Sequence, residues 1–318
     1  MRDQELRASL RFDGETMLQA LMTDLRVLAG IDIISTRDDR LENLPESIAA
    51  IGINDNVRDI WTSCMQAADA VWVIAPESGG LLATMHKLAL DSGCGFVGCN
   101  TSAMHIAASK SRTAEALSTC AIPCIETFLP GGQLPRSNTG WVVKPDDGAG
   151  SEDCYFFEKK QQLRKWWEEN RTQQPFVVQR YVPGLAASVS ALYDNGRALL
   201  LSCNEQLFQF EDGRGRNRGV VVNGLRQHRS VFEDIAIQVG KAIPGLWGYI
   251  GIDLILTKSG PVVVEINPRL TTSYAGLSKS LGLNVAELIL QFFNGQGLFE
   301  FPRIKAGVTT VEMYAGND

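Results

Sequence analysis

Two apolar segments near the end of the chain are separated by a short polar turn. Residues 249–257 read YIGIDLILT, residues 261–267 read PVVVEIN, and residues 258–260 (KSG) lie between them. A three-residue connection that ends in glycine favours a β-hairpin, because glycine tolerates the left-handed conformation that such turns need. The pattern therefore predicts an antiparallel pair in which Thr257 faces Pro261.

This register brings polar side chains together at the far end of the hairpin. Asp253 is predicted to lie directly opposite Glu265, with Asn267 on the same face as Glu265. Two facing carboxylates repel and are costly to desolvate within apolar strands, so we expect a cation between them. Two carboxylates and an amide oxygen suit Mg²⁺ or Mn²⁺ better than Zn²⁺, and Mg²⁺ commonly takes substrate phosphates as further ligands.

Arg269 follows this set two residues later. Its planar guanidinium is suited to hold a phosphoryl or acyl-phosphate oxygen beside the metal. The alternative is that Asp253 and Glu265 are solvated strand ends and that Arg269 forms a surface ion pair.

The chain is acidic, and its length predicts more than one structural unit. The 318 residues carry 30 basic and 36 acidic side chains, which gives a formal net charge of −6. A chain of this length suits two or three packed lobes. The acidic balance argues against a dedicated nucleic-acid-binding protein.

The cysteine pattern, together with the lack of a signal-peptide or membrane-span pattern, predicts a cytoplasmic protein. The seven cysteines include no Cys-x-x-Cys pair and are accompanied by only three histidines, so free thiols are expected. The polar N-terminal segment MRDQELRASLRFDGETM lacks the apolar run of a signal peptide. No segment approaches the roughly 18–20 consecutive apolar residues of a membrane span.

The first hundred residues alternate between helix and strand patterns. Helices are predicted at 14–29 and 81–93, and buried strands at 68–76 and 95–99, which together include a strand–helix–strand unit. Residues 76–80 (PESGG) follow a strand at its carboxyl end, where open α/β sheets bind ligands, although an ordinary connecting loop has the same pattern. We therefore predict an α/β domain at 1–104.

Downstream of residue 105 the pattern becomes α+β. Strands are predicted at 122–128, 140–145, 175–184, 187–193 and 198–203, and helices at 158–170, 230–242 and 284–294. The turn Asp194-Asn195-Gly196 predicts a hairpin between two of these strands. The pair Trp166-Trp167 is expected to pack within this unit rather than to stack on a ligand.

A lysine followed by a flexible loop suggests a phosphate-binding segment. The chain has no GxxxxGK[ST] motif, and no GxGxxG follows a predicted strand. In WVVKPDDGAGSED (141–153), Lys144 ends a strand and the glycine-containing loop after it offers main-chain N–H groups that could cap phosphates. An ordinary hairpin loop has a similar composition.

A second segment, GRGRNRGVVVNG (213–224), is rich in arginine and glycine. We interpret it as an exposed loop near the phosphates, with a nucleic-acid-binding arm as the alternative.

These motifs together resemble the ATP-grasp ligases. Lys110 at a helix junction, VVKP with a following GAGS, VVQRYVPG, GIDLIL and VVEINPR occur in that family's order, over about residues 105–290. The resemblance implies that an α/β domain precedes two α+β lobes that grip ATP. The ATP-grasp unit would then span 105–318, with a small lid lobe at about 122–182 and a C-terminal lobe at about 184–318.

The resemblance also implies roles for individual residues. It predicts that Lys110 and Lys144 bind phosphate, that Gly148, Gly150 and Ser151 belong to the lid loop, and that Gln179, Arg180, Tyr181 and Val182 form the hinge that reads adenine through main-chain groups. It predicts further that Asp253, Glu265 and Asn267 bind Mg²⁺ and that Arg269, with Lys144, acts on the transferred phosphoryl group. One departure concerns ribose: many members carry a glutamate after the hinge glycine, whereas this chain reads GLAAS at 184–188.

The implied chemistry is an ADP-forming carbon–nitrogen ligation through an acyl phosphate. Three segments, EINPRLTTSYAGLSKSLGLN (265–284), APESGG (75–80) and SCNEQLF (202–208), most resemble the branch that contains the tyramine–glutamate ligases of methanofuran biosynthesis. Glutamate and tyramine would then be the substrates. Thr271, Thr272 and Ser273 would hold the amino acid, and Asn204 and Glu205 would lie near the amine or phosphate.

Two other functions are compatible with the same motifs. One is an ATP-grasp ligase for another amino acid and amine, and the other is an ATP-binding regulatory protein without turnover. The expected partners are small-molecule substrates, with a homodimer as an option and with neither nucleic acid nor membrane.

Overall fold

The computed structural model describes residues 8–41, 48–129, 134, 136–148, 153–170, 175–296 and 307–313. Its α-helices are α1 Ala8–Arg26, α2 Val57–Gln66, α3 Leu81–Asp91, α4 Thr101–Ala107, α5 Lys110–Thr119, α6 Lys160–Glu169, α7 Arg229–Ala242, α8 Tyr274–Leu281 and α9 Val285–Phe293. Its strands are β1 Ser35–Asp38, β2 Ile48–Ile51, β3 Ala70–Val71, β4 Gly95–Phe96, β5 Thr127–Phe128, β6 Trp141–Pro145, β7 Tyr155–Phe157, β8 Phe176–Arg180, β9 Leu185–Asp194, β10 Arg197–Glu211, β11 Arg214–Val222, β12 Gly248–Thr257, β13 Gly260–Asn267 and β14 Thr309–Glu312.

The N-terminal part contains the predicted strand–helix–strand unit. Strands β3 and β4 are parallel, and α3 lies between them in the chain. Both strands are two residues long, because only the first part of each apolar segment forms sheet hydrogen bonds. A second parallel pair joins β1 to β2. This part is α/β, as the pattern predicts.

One antiparallel sheet runs through both lobes of the remaining chain. Its strand order is β13-β12-β9-β10-β11-β7-β6-β8-β5, and β14 also pairs with β11. The two lobes join where Arg214 of β11 pairs with Tyr155 of β7. A long sheet therefore links the lid lobe to the C-terminal lobe, with helices on its faces.

Alternation along the strands separates two layers of core. Val189 and Ile252 face a core shared with α3, α4, α5 and α7. Leu192 and Tyr249 face the opposite side, where α8, α9 and the first helix, α1, cover the sheet. Burial on both faces explains why these strands read as nearly continuous apolar runs. Within the described residues, no helix has the combination of length and apolarity that a membrane crossing requires.

A smaller core fills the lid lobe. Its members are Trp141, Val143, Leu163, Phe176 and Val178, with the rings of Trp166 and Trp167 packed against them. This confirms the expectation that the tryptophan pair has a packing role. All seven cysteines carry free thiols, also as expected.

The β12–β13 hairpin reaches the predicted pairing by a different route. Thr257 pairs with Gly260, not with Pro261, so the turn has two residues instead of three. The register then shifts by one residue between Asp253 and Leu254, and Val264 is the extra residue of a β-bulge. The shorter turn and the bulge compensate each other, and Asp253 faces Glu265 as predicted.

Residues 213–224 were predicted to be an exposed loop, and this prediction was wrong. Residues 214–222 form β11, which pairs with β10, β7 and β14. Arginine at every second position, in Arg214, Arg216 and Arg218, matches the period of a strand. Of the expected loop, only Gly213 and residues 223–224 lie outside the strand, in the turns before and after β11.

Candidate active site

Polar side chains form two adjacent rows across the C-terminal sheet. In the first row, Asn204, Ser188, Asp253 and Glu265 lie opposite one another on four neighbouring strands. In the second row, Ser202, Ser190 and Asn267 are aligned in the same way, and Gly251, which has no side chain, lies between Ser190 and Asn267. Residues two apart on a strand share a face, so the two rows make one polar floor.

Two lysines from different elements converge on Glu265. The Nζ atoms of Lys110 and Lys144 lie 3.2 and 3.3 Å from Glu265 Oε2. Lys110 is the first residue of α5, where the Ser109 side chain caps the helix, and Lys144 is on β6. Burial acts to raise the pKa of Glu265, but the two ammonium groups outweigh it and lower the pKa. The fold thus holds Glu265 ionised between two cations.

Asp253 lies in the opposite electrostatic situation. Its burial and the neighbouring charge of Glu265 raise its pKa. The amide groups of Asn267 and Gln206 donate to its two oxygens at 3.2 and 3.4 Å. The charge of Glu265 is therefore compensated by the two lysines, whereas the ionised form of Asp253 is energetically disfavoured.

The donor set fits a hard divalent cation. Asp253, Glu265 and Asn267 offer only oxygen ligands, and an ion between the carboxylates would relieve the repulsion that raises the pKa of Asp253. Among the described residues, no three His, Cys, Asp or Glu side chains cluster as a metal site. Mg²⁺ sites with few protein ligands commonly complete their coordination with waters and substrate phosphates.

Arg269 is buried against an acid of the N-terminal domain, not exposed in a surface ion pair. Its Nε and Nη2 donate to Glu77 Oε2 at 3.0 and 2.9 Å, and its Nη1 donates to the carbonyl of Leu270 at 3.0 Å. The Glu77 and Arg269 side chains are 4% and 10% exposed. Burial acts to lower the pKa of Arg269, but Glu77, Glu265 and Asp253 together raise it. Sequence reasoning located the 76–80 segment but did not assign a role to Glu77.

The same N-terminal segment touches the start of the lid loop. Ser78 Oγ donates to the carbonyl of Asp147 at 3.1 Å, and the Gly79 N–H donates to Asp147 Oδ2 at 2.9 Å. Asp146 in turn accepts from Ser109 Oγ at 2.7 Å and from the Ser111 N–H at 2.8 Å. Gly148 continues this loop, and its carbonyl accepts from Lys110 Nζ at 2.9 Å. Gly150 and Ser151 lie outside the described residues.

Four hydroxyl groups meet beside the second polar row. Thr271 Oγ1 and Ser273 Oγ lie 2.8 Å apart, and Tyr249 OH lies 2.8 Å from the first and 3.1 Å from the second. Ser190 Oγ lies 3.0 Å from Tyr249 OH and 3.1 Å from Ser273 Oγ. Tyr249 and Ser190 were not predicted, because both fall inside strands that read as core. Thr272 is half-buried, and no hydrogen bond of its side chain joins it to this hydroxyl cluster in the described structure.

Asn204 and Glu205 of β10 were both expected near the substrates, but they lie on opposite faces of the sheet. Asn204 is fully buried on the polar face, where its Nδ2 donates to Ser188 and Ser190 at 3.3 Å. Its Oδ1 accepts the Asn223 N–H at 3.2 Å. Glu205 aligns with Ala187 and Leu254 on the opposite face, so the structure does not bring it to the Asp253 row.

Comparison with known proteins identifies the family of this arrangement. Residues 107–273 match the family model described as the ATP-grasp domain, which covers the two lysines, the facing carboxylates and Arg269. The chain belongs to the ATP-grasp family. Residues 31–104 match the pre ATP-grasp 3 domain, so an ATP-grasp fold follows a pre-ATP-grasp domain here. The resemblance and fold predicted from the sequence are thereby confirmed.

Two curated relatives are similar over most of this chain. One is the tyramine–L-glutamate ligase of Methanocaldococcus jannaschii, 30% identical over 230 residues, which are 72% of this chain and 64% of that protein. Another is the tyramine–L-glutamate ligase of Methanocaldococcus fervens, 27% identical over 295 residues, which are 92% of this chain and 86% of that protein. The first match therefore leaves about a third of its relative uncovered.

A solved structure supports the fold. It is the biotin carboxylase domain dimer of 2-oxoglutarate carboxylase from Hydrogenobacter thermophilus, in complex with MgADP, ADP and bicarbonate. Its TM-score is 0.72 at 15% identity, over 90% of this chain and 69% of that chain. At this identity the likeness concerns the fold alone.

The predicted ATP-grasp hinge lies at the end of β8. The Gln179 side chain is buried and donates to Thr127 Oγ1 at 2.8 Å, and Arg180 pairs with Glu126. The Tyr181 N–H donates to the Gly140 carbonyl at 3.0 Å, and the Tyr181 carbonyl accepts from Thr139 at 2.6 Å. Val182 follows in irregular backbone. The adenine-reading role of Gln179 to Val182 stays a prediction.

Proposed function

We propose that this chain is an ATP-dependent carboxylate–amine ligase that releases ADP, and that it joins the γ-carboxyl group of glutamate to the amine of tyramine. The observation that carries the reaction class is the convergence of Lys110 and Lys144 on Glu265, directly opposite Asp253. The choice of substrates is supported by the names of the two curated relatives.

The chain's own cations would bind the transferring phosphoryl group. Lys110 and Lys144, which share Glu265 in this structure, would pass to phosphate oxygens when the nucleotide binds. Arg269, fixed by Glu77, would hold the phosphoryl or acyl-phosphate oxygens with its planar donors. Mg²⁺ held by Asp253, Glu265 and Asn267 would neutralise charge on the phosphates of ATP. These groups account for the charge that builds up in phosphoryl transfer.

The reaction needs no nucleophile from the protein. A carboxylate oxygen of the substrate attacks the γ-phosphorus, and ADP leaves with the electrons of the broken bond. The amine then attacks the acyl carbon, inorganic phosphate leaves, and the nitrogen loses a proton as the amide forms. The protein positions both substrates and excludes water from the acyl phosphate. Buried thiols are consistent with this scheme, since burial raises the pKa of Cys99 to about 12 and that of Cys154 to about 11.

The direct test measures ADP and amide together. The protein is incubated with MgATP, L-glutamate and tyramine, and then with a panel of other amino acids and amines. Equimolar ADP and γ-glutamyltyramine are expected. Turnover with a different pair alone would retain the ligase and reject these substrates. ATP-induced thermal stabilisation without ADP from any pair would reject the ligase in favour of a non-catalytic ATP-binding protein.

A further inference from the structure

Two buried carboxylate oxygens, one on Glu77 and one on Asp147, have no hydrogen-bond partner in the described part of the structure. The Glu77 side chain is buried, and both of its contacts with Arg269 are made by Oε2, which leaves Oε1 buried and unpaired. Asp147 shows the same pattern, since Oδ2 accepts the Gly79 N–H whereas Oδ1 is buried without a partner. The two acids belong to segments that contact each other through Ser78 and Gly79.

An unpaired buried carboxylate oxygen is costly, so such an atom indicates a missing donor. Removing an ionised oxygen from water is compensated only by a hydrogen bond or an opposite charge. Arg269 could have bonded both oxygens of Glu77 in the usual forked geometry, but the two donors that reach Glu77, Nε and Nη2, both contact Oε2. If Glu77 served only to orient Arg269, this would account for the hydrogen bonds to Oε2 but not for the burial of Oε1 without a partner.

The chemistry of the site favours an ammonium ion over a second metal. The oxygen ligands suited to a divalent cation are on β12 and β13, whereas Glu77 and Asp147 each present one remaining oxygen from a loop. An ammonium group carries three donors and one positive charge, which suits single oxygens from separate carboxylates. Both substrates of a carboxylate–amine ligase of this kind bear a primary ammonium group.

We propose that Glu77 is a substrate-binding residue whose Oε1 accepts a hydrogen bond from a primary ammonium group, with Asp147 adding negative charge at the same subsite. This inference rests on the proposed ligase function. The ammonium belongs either to the amino acid or to the amine, and the contact with Arg269 places it close to the phosphoryl group. The N-terminal domain thereby takes part in substrate selection.

The test compares Glu77→Gln with the wild type in steady-state kinetics, with L-glutamate, tyramine and MgATP varied in turn. Loss of a hydrogen bond to a charged group predicts a KM increase of roughly 10- to 100-fold for one substrate, with the KM for ATP unchanged. Glutarate, which lacks the ammonium group, distinguishes the two sources. If glutamate is the ligand, the wild type prefers glutamate to glutarate and the variant loses this preference. If tyramine is the ligand, only the KM for tyramine rises.

Matched variants separate recognition from folding and from arginine positioning. Glu15→Gln removes another glutamate paired with an arginine, Arg37, and should leave all KM values unchanged. Glu77→Asp keeps the charge and should recover part of the affinity. A lower kcat with unchanged KM for both substrates would show that Glu77 only orients Arg269, and an altered Mg²⁺ requirement would show a metal site. Either result overturns the inference.

Calorimetry provides a readout that does not depend on turnover. L-Glutamate and tyramine are titrated separately into wild-type and Glu77→Gln protein, both shown to be folded by thermal unfolding, in the presence of MgADP. Binding of one compound to the wild type and its loss in the variant support the inference even if no ADP is released, in which case only the ligase proposal fails. Equal binding to both proteins, or no binding to the wild type, overturns it.

Discussion

Asp253 and Glu265 face each other, yet the protein treats their charges in opposite ways. Burial and the nearby Glu265 raise the pKa of Asp253, so the folded chain disfavours its ionised form. Lys110 and Lys144 lower the pKa of Glu265, so the folded chain favours its ionised form. Neutral substitutions at these two positions should therefore change stability in opposite directions while both impair function.

Asp253→Asn should stabilise the ligand-free protein. The amide keeps one oxygen, which can accept from Asn267 or from Gln206 but not from both, and it removes a disfavoured charge. We expect a gain of about 1 kcal/mol, or a rise in melting temperature of about 2–4 °C, together with loss of MgATP-dependent ADP release. Differential scanning calorimetry in EDTA measures the shift. Asp234→Asn, on the exposed face of α7, is the control, and a lower melting temperature for Asp253→Asn would contradict the electrostatic argument.

Glu265→Gln should destabilise the same ligand-free state. Lys110 and Lys144 would lose their shared counterion while remaining 7% and 11% exposed, and breaking a buried ion pair costs about 3–5 kcal/mol. MgATP phosphates would replace part of the missing charge, so added nucleotide should recover stability but not turnover. Thermal unfolding with and without MgATP measures this, with the exposed Glu168→Gln as the control. Near-normal turnover with Mg²⁺ would refute the metal-binding role.

At the scale of elements, one glycine determines how closely the segment after β13 approaches the sheet. A Cβ atom on Gly251 would lie 2.5 Å from Cγ2 of Thr271, which no folded structure tolerates without movement. Gly251 belongs to the second polar row, and Thr271 to the hydroxyl cluster. Because Gly251 has no side chain, the 271–273 segment can lie close enough to the sheet to contact Tyr249 and Ser190.

Gly251→Ala should displace this segment, and Thr271→Ser should restore it. Overpacking predicts a loss of about 1–3 kcal/mol for the single variant. The serine removes Cγ2 and keeps the hydroxyl that contacts Tyr249, so the double variant should recover most of the loss. Urea unfolding measures both. Gly14→Ala, whose Cβ would meet no atom within 4 Å in helix α1, should be neutral or stabilising. If Thr271→Ser gives no recovery, Thr271 is not the obstacle.

At the scale of the whole molecule, a helix of the N-terminal domain packs against the C-terminal lobe. Helix α1 lies outside both matched family stretches and packs on α8 and α9. Asp24 of α1 accepts hydrogen bonds from Tyr274 at 2.8 Å and Ser278 at 2.7 Å, and the Asn284 side chain donates to its carbonyl at 2.7 Å. Because α8 begins directly after Ser273, α1 supports the 271–273 segment from behind.

Asp24→Ala should loosen this contact. It leaves the hydroxyls of Tyr274 and Ser278 without their acceptor, for which we expect a loss of about 1–3 kcal/mol in the free energy of unfolding. Urea denaturation measures it, and Thr23→Ala, which alters an exposed hydroxyl of the same helix, is the control. Equal stability of the two variants would show that α1 is not coupled to α8.

Local pattern predicted much of the candidate site because Asp253, Glu265 and Asn267 are on one hairpin. The opposition of Asp253 and Glu265 depends on a few residues of the chain and was correct, although a two-residue turn and the bulge at Val264 replaced the expected three-residue turn. Arginines alternate at 214–218, which is the period of a strand. The segment was nevertheless interpreted as a loop because of its glycine content and its charge.

The amino-acid sequence by itself determined the succession of an α/β and an α+β unit, the facing carboxylates and the motif order of the family, since each follows from short-range periodicity and spacing. The tertiary structure alone decided that Lys110 and Lys144 meet at Glu265, that Tyr249 joins the hydroxyl cluster and that Arg269 is held by Glu77. Glu77 and Arg269 are 192 residues apart in the chain. Contacts at such separation depend on strand order and on how the domains pack, and no local pattern encodes them.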